Sequence, residues 1–144
     1  MFDLYSGGGT ISLFLAQKAK RVIGIEIIED AVKNAKENAL LNSITNAEFY
    51  CGEAEILAPR MIADGTTADV VVVDPPRKGC GEKLLTAIGT MLPKKLVYVS
   101  CDNATMARDA KILATYGYKL NEVHVFDQFP QTGHVECCVL LCRE

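Results

Sequence analysis

The stretch YVSCDNATMARD, residues 98–109, sets one cysteine between an apolar run and a segment of helical periodicity. A thiol at that junction has the surroundings of a nucleophile, because the amides and dipole of a helix start favour the thiolate. In VVVVDPPRKG, Asp74 closes a continuous β-branched run, and the two prolines after it stiffen the loop. Arg77 and Lys78 in that loop bring cationic charge to the same sheet edge and are candidates to hold a phosphate. Farther on, DQFPQTGHVE puts Glu136 at the start of the last apolar run. If it faces the same cleft as Cys101, a nucleophile and a proton acceptor converge on one volume. His134 lies two residues earlier and is expected on the same face, as an orienting group or a second-choice base.

A different chemistry is suggested near the start, where DLYSGGGT follows the first apolar run and opens a helix. Gly7 and Gly9 allow a tight turn and close approach to a ligand, and Tyr5 can flank a flat ring. Glu26, in GIE about 20 residues downstream, can accept both hydroxyls of a ribose and would repel a 2′-phosphate. The spacing allows NAD or S-adenosylmethionine. Ser12 stands where a dinucleotide fingerprint wants its third glycine, which leans toward the methyl donor. Glu53, in CGEAEIL, is a further acid placed to meet an adenine amino group.

These residues need a scaffold that brings strand ends to one edge. Apolar runs at 2–5, 21–25, 47–51, 69–73, 96–100, 120–126 and 135–142 read as strands. Helical periodicity covers 10–18, 29–41, 82–91 and 104–116. The alternation predicts an α/β fold with a mostly parallel sheet, and the final two strands, joined without a helix, pair antiparallel. The first strand begins at residue 2, although the strand that carries a glycine loop is central in such sheets. The 144 residues are therefore expected to form a single domain that starts inside a longer protein.

Composition narrows the classes further. An apolar fraction of 49% with 23% charged residues is ordinary for a globular domain, and no run approaches the ~20 apolar residues that span a bilayer. No basic n-region with an apolar h-region opens the chain, so a cytoplasmic protein is expected. The six cysteines form no C-x-x-C pair and have no paired histidine spacing, which argues against a metal. With a net charge of −3, any nucleic-acid contact must rest on local cations.

Taken in order, DLYSGGGT, GIE, DPPRKG, VYVSCDNATMARD and DQFPQTGHVE resemble the RNA (uracil-5-)-methyltransferases that act on ribosomal and transfer RNA, over nearly the whole chain. The resemblance implies a Rossmann-like S-adenosylmethionine-dependent methyltransferase fold, with Tyr5, Glu26 and Asp74 at cofactor-binding positions. It further implies that Cys101 is the nucleophile, Glu136 the base and RNA the substrate, ribosomal RNA being favoured over transfer RNA. The chain departs from the family pattern at Ser6, where cysteine is common, and at Asp102-Asn103, where Asn-Pro is common. By comparison with the family, whose catalytic domain starts well upstream, the chain is expected to be the C-terminal portion of a longer enzyme. Two other readings stay open: an amino-group methyltransferase, because a D/N-P-P loop also serves N-methylation, and a catalytically silent fragment that binds the methyl donor.

Overall fold

The structure is a computed structural model that describes residues 1–128, 130–133 and 135–143. Seven strands form one sheet: β1 Phe2–Leu4, β2 Val22–Glu26, β3 Ala47–Cys51, β4 Val70–Val73, β5 Lys95–Ser100, β6 Tyr118–Phe126 and β7 Glu136–Arg143. Five helices connect them: α1 Thr10–Ala16, α2 Glu29–Leu41, α3 Ala54–Ala63, α4 Glu82–Met91 and α5 Asn103–Ala114. The spatial order is β3-β2-β1-β4-β5-β7-β6, with parallel pairing from β3 through β5 and antiparallel pairing of β7 with both β5 and β6. The expected α/β architecture with its antiparallel end is thus observed.

Burial explains the strand types. Val71, Val72 and Val73 of β4 are all buried, because helices cover both faces of the sheet there. On one face Phe2, Leu4, Ile25, Val73, Leu96 and Tyr98 pack with residues of α3, α4 and α5. On the other, Phe49 packs with Val32, Ala35 and Ala39 of α2 and with Leu13 of α1. β6 is an edge strand that exposes Leu120, Val123, Val125 and Phe126.

One element differs from the sequence reading. Residues 54–63 form α3, outside the helical runs read from periodicity, and Glu53 stands at its start. Pro59 lies within it, and a proline removes a backbone donor and crowds the carbonyl four residues back, so its presence argues locally against a helix. Tertiary burial of Ala54 and Ala58 against the sheet outweighs that preference.

Candidate active site

The parallel strands present their carboxyl ends at one edge, and β7, running the opposite way, begins there. Along this edge lie Glu53 after β3, Glu26 on β2, Tyr5 after β1, Asp74 after β4, Cys101 after β5 and Glu136 at the start of β7. From β1 the chain winds outward to β2 and β3, then returns to place β4 on the opposite flank of β1. That reversal opens a crevice where ligands bind in open α/β sheets.

A cavity of about 910 Å³ fills the crevice, within the size range of cofactor sites. Tyr5, Glu26, Glu53, Asp74 and Lys78 line it, together with Glu55, Cys80 and Arg108. Gly7, Gly9, Arg77, Cys101 and Glu136 lie outside the lining.

The glycine-loop half is tied down by backbone donors. Glu26 Oε2 accepts the Gly7 N–H at 2.9 Å and Oε1 accepts the Ile28 N–H at 2.9 Å, so one carboxylate fastens both sides of the crevice floor. Tyr5 has the left-handed φ of 65°, and its hydroxyl donates to Glu55 Oε1 at 2.7 Å. Burial raises the Tyr5 phenol above its ordinary range. Gly9 has φ 83°, and a Cβ there would stand 2.9 Å from Ala35 Cβ. Its requirement is close packing of the loop on α2 and β3, a different role from the ligand approach expected of it. Below the loop, buried Asp3 accepts from Ser12 Oγ at 2.6 Å through Oδ2, while its Oδ1 has no hydrogen-bond partner among the described residues. Burial pushes the Asp3 carboxyl up to about 6, opposed by the Ser12 hydrogen bond and reinforced by the charge of Asp74.

The Cys101 half is built by β5, β7 and α5. Ser100 Oγ donates to the Asp102 carbonyl at 2.8 Å and accepts the Asp102 N–H at 3.0 Å, bracketing Cys101 from both sides. Cys101 is half-exposed, not sealed in aliphatic packing. The β5–β7 register pairs Ser100 with Cys137. That is the last pair of the ladder, so Cys101, which follows β5, lies at the same end of the two strands as Glu136, which begins β7. Partial burial, and then the charge of Glu136, raises the Asp74 carboxyl above its ordinary value, so Asp74 lies within electrostatic reach of Glu136.

The start of α5 differs from expectation. Asp102 Oδ1 accepts the N–H groups of Ala104 and Thr105, both at 3.0 Å. Two first-turn amides are thereby occupied by a side chain, so the helix start has fewer free donors than expected. The Thr105 amide is the main reason the Asp102 carboxyl is held low, and the Arg77 charge adds to it, which sets Arg77 on the Cys101 side of the edge. Arg77 and Lys78 are both exposed. His134 lies outside the described residues.

Sequence reasoning passed over Ser100, Glu55, Cys80 and Asp109. The available signals were an acid on the buried face of α5 and a hydroxyl immediately before the cysteine. Cys80 is a buried thiol, pushed up to about 12 by burial and then by the charge of Asp109. Among the described residues, no group of three or more His, Cys, Asp or Glu could hold a metal ion, and no helix is long and apolar enough to cross a membrane.

The model of the tRNA (uracil-5-)-methyltransferase family matches residues 1–144. An uncharacterized RNA methyltransferase of Bacillus cereus is 57% identical over 143 residues, which are 99% of this chain and 31% of that protein. One of Clostridium acetobutylicum is 55% identical, again over 99% of this chain and 31% of the relative. The chain therefore spans about a third of the length of these relatives. Among solved structures, the Pyrococcus abyssi tRNA (uracil-54, C5)-methyltransferase in complex with S-adenosyl-L-homocysteine matches with a TM-score of 0.82 and 34% identity, over 97% of this chain and 33% of that one. The Synechocystis magnesium protoporphyrin IX methyltransferase matches at 18% identity with a TM-score of 0.72, over 99% of this chain and 69% of that one, a likeness of fold.

Proposed function

The chain belongs to the tRNA (uracil-5-)-methyltransferase family, and from that premise we propose that the protein carrying it methylates C5 of a uridine in RNA, with S-adenosylmethionine as donor. What supports this reading is that Cys101, just after β5, and Glu136, at the start of β7, lie at the same end of two paired strands, on the sheet edge that holds the crevice.

The cavity's charge decides between adenosyl ligands. Five carboxylates (Glu26, Glu53, Glu55, Asp74 and Glu82) line it against two cations, Lys78 and Arg108. A dinucleotide would bring its diphosphate against that acidic wall, whereas ribose hydroxyls, an ammonium and a sulfonium suit it. The donor set therefore fits S-adenosylmethionine. Glu26 would take the ribose hydroxyls, Tyr5 would flank the ligand, and Glu53 and Asp74 would meet its amino groups. When bound, this cofactor supplies an electrophilic methyl group beside the target base.

The protein's own residues answer the other two difficulties. Uracil C5 is a weak nucleophile until its conjugation is broken. The Cys101 thiolate adds to C6, forming a C–S bond and moving the electron pair toward C5 and O4 as an enolate. Once C5 carries the methyl group, Glu136 removes its proton, and the returning electron pair expels the thiolate. Extruding the base costs a few kcal/mol, least in a loop or single strand, and Arg77 and Lys78 are exposed to receive the flanking phosphates.

The RNA class is the finer question. Resemblance favours 23S ribosomal RNA, and the Pyrococcus abyssi relative is named for transfer RNA. Incubating the intact protein with labelled donor and with each RNA, followed by nucleoside mass spectrometry, tests the proposal. The expected product is 5-methyluridine, more from ribosomal RNA than from transfer RNA. Label on a base nitrogen would support the amino-group reading instead.

A further inference from the structure

Asp109 is fully buried on α5 at 0% exposure, and it is absent from the mechanism above. Its Oδ2 accepts the Cys80 N–H at 2.7 Å and the Tyr98 hydroxyl at 2.6 Å. Its Oδ1 accepts Arg108 Nε at 2.8 Å and Nη2 at 2.6 Å. Arg108 Nη2 donates as well to the Lys78 carbonyl at 2.9 Å, and Thr105 Oγ1 donates to the Arg77 carbonyl at 3.1 Å. Between these ties Gly79 takes φ +76°, and a Cβ there would stand 2.5 Å from Arg108 Nη2 and 2.6 Å from Asp109 Oδ2. Three of four successive loop residues, 77, 78 and 80, are thus bound to one face of α5.

Holding a helix on a sheet needs no such arrangement, because an apolar side chain of similar volume serves packing as well as a buried, fully paired charge. What the carboxylate adds is direction. It joins the loop that begins at Asp74 to the helix capped by Asp102, one residue beyond Cys101, and it is anchored to β5 through Tyr98 three residues before Cys101. We propose that Asp109 is a positioning residue that clamps the loop of residues 74–81 to α5 and so fixes the Asp74 carboxylate relative to the Cys101 thiol. The inference rests on the reading of Asp74 and Cys101 as members of one site.

Asp109→Asn, nearly isosteric, removes the charge and turns an amide toward the Arg108 donors. In the intact protein, the amides of residues 77–81 are expected to exchange hydrogen at least 10-fold faster, with those of β1 and β2 unchanged. The rate of adduct formation with 5-fluorouridine RNA at saturation is expected to fall at least 10-fold, with alkylation of Cys101 by iodoacetamide within 2-fold of wild type. Unchanged loop exchange overturns the clamp, and an unchanged adduct rate per folded molecule overturns the positioning role even if the loop loosens. If Asp109→Asn does not fold, Thr105→Val combined with Arg108→Gln cuts the two carbonyl ties while leaving those to Cys80 and Tyr98, and is judged by the same two readouts. A wild-type protein that forms no adduct overturns the site reading and this inference together, an outcome distinct from equal rates in wild type and variant.

Discussion

At the scale of single residues, the proposed reaction divides the work between Cys101 for bond formation and Glu136 for proton removal, and their variants should fail in different ways. Glu136→Gln is expected to lower turnover by about 100-fold or more while protein–RNA adduct accumulates, which denaturing gels would detect. Loss of turnover without any adduct would instead place Glu136 ahead of the thiol step. Asp3 gives a stability prediction. Its folded-state pKa, about 6, lies above the ordinary carboxyl value, so between roughly pH 4 and 6 the native state holds more protons than the unfolded chain. Stability contributed at this site therefore declines as pH rises through that window, and the penalty is complete above it. Asp3→Asn, which can still accept from Ser12, should raise stability at pH 7 by on the order of 2 kcal/mol and flatten the pH dependence. Chemical unfolding at pH 4.5 and 7 measures this, and equal gains at both pH values would contradict it. That Tyr5, Glu26, Asp74, Cys101 and Glu136 stand at strand ends on one edge was legible because type and spacing mark them. Asp109 and Ser100 were not, because an acid within a helix and a hydroxyl before a cysteine acquire meaning only from partners distant in sequence.

At the scale of elements, the glycine loop separates conformational need from ligand access. Gly9→Ala meets both a positive φ and Ala35 Cβ at 2.9 Å, whereas a Cβ at Gly8 meets nothing within 4 Å. Gly9→Ala should therefore cost at least about 2 kcal/mol and Gly8→Ala at most about 0.5 kcal/mol, as read by denaturant unfolding. Equal effects would mean that the loop is not pinned by α2 and β3. Most elements were legible from periodicity: β3, α2 and α4 fall on their expected residues, and the other strands shift by a residue or two at their ends. α3 was hidden by Pro59, a case in which packing against the sheet overrides a local preference. β6 exposes apolar residues on both of its faces, Val125 on one and Phe126 on the other, so alternation alone could not say which side is buried.

At the scale of the whole molecule, the sheet order sets the proposed cofactor residues at the ends of β3-β2-β1-β4 and the proposed reaction residues at the ends of β4-β5-β7, with Asp74 at the join. A ligand that fills the crevice should bind only the folded chain and stabilise it. S-adenosylhomocysteine at 100 times its Kd adds about 2.7 kcal/mol, a Tm rise of roughly 5–10 °C for a domain of this size, and NAD should give none. An equal rise with NAD would contradict the argument from the acidic lining. The account as a whole depends on the rim where β5 meets β7, and peptide mapping by mass spectrometry of the intact protein after reaction with 5-fluorouridine RNA tests it most directly. The predicted result is a single nucleotide-modified peptide linked through Cys101 and lost in Cys101→Ser. Modification that maps to another residue, or that persists undiminished in Cys101→Ser, would contradict the account.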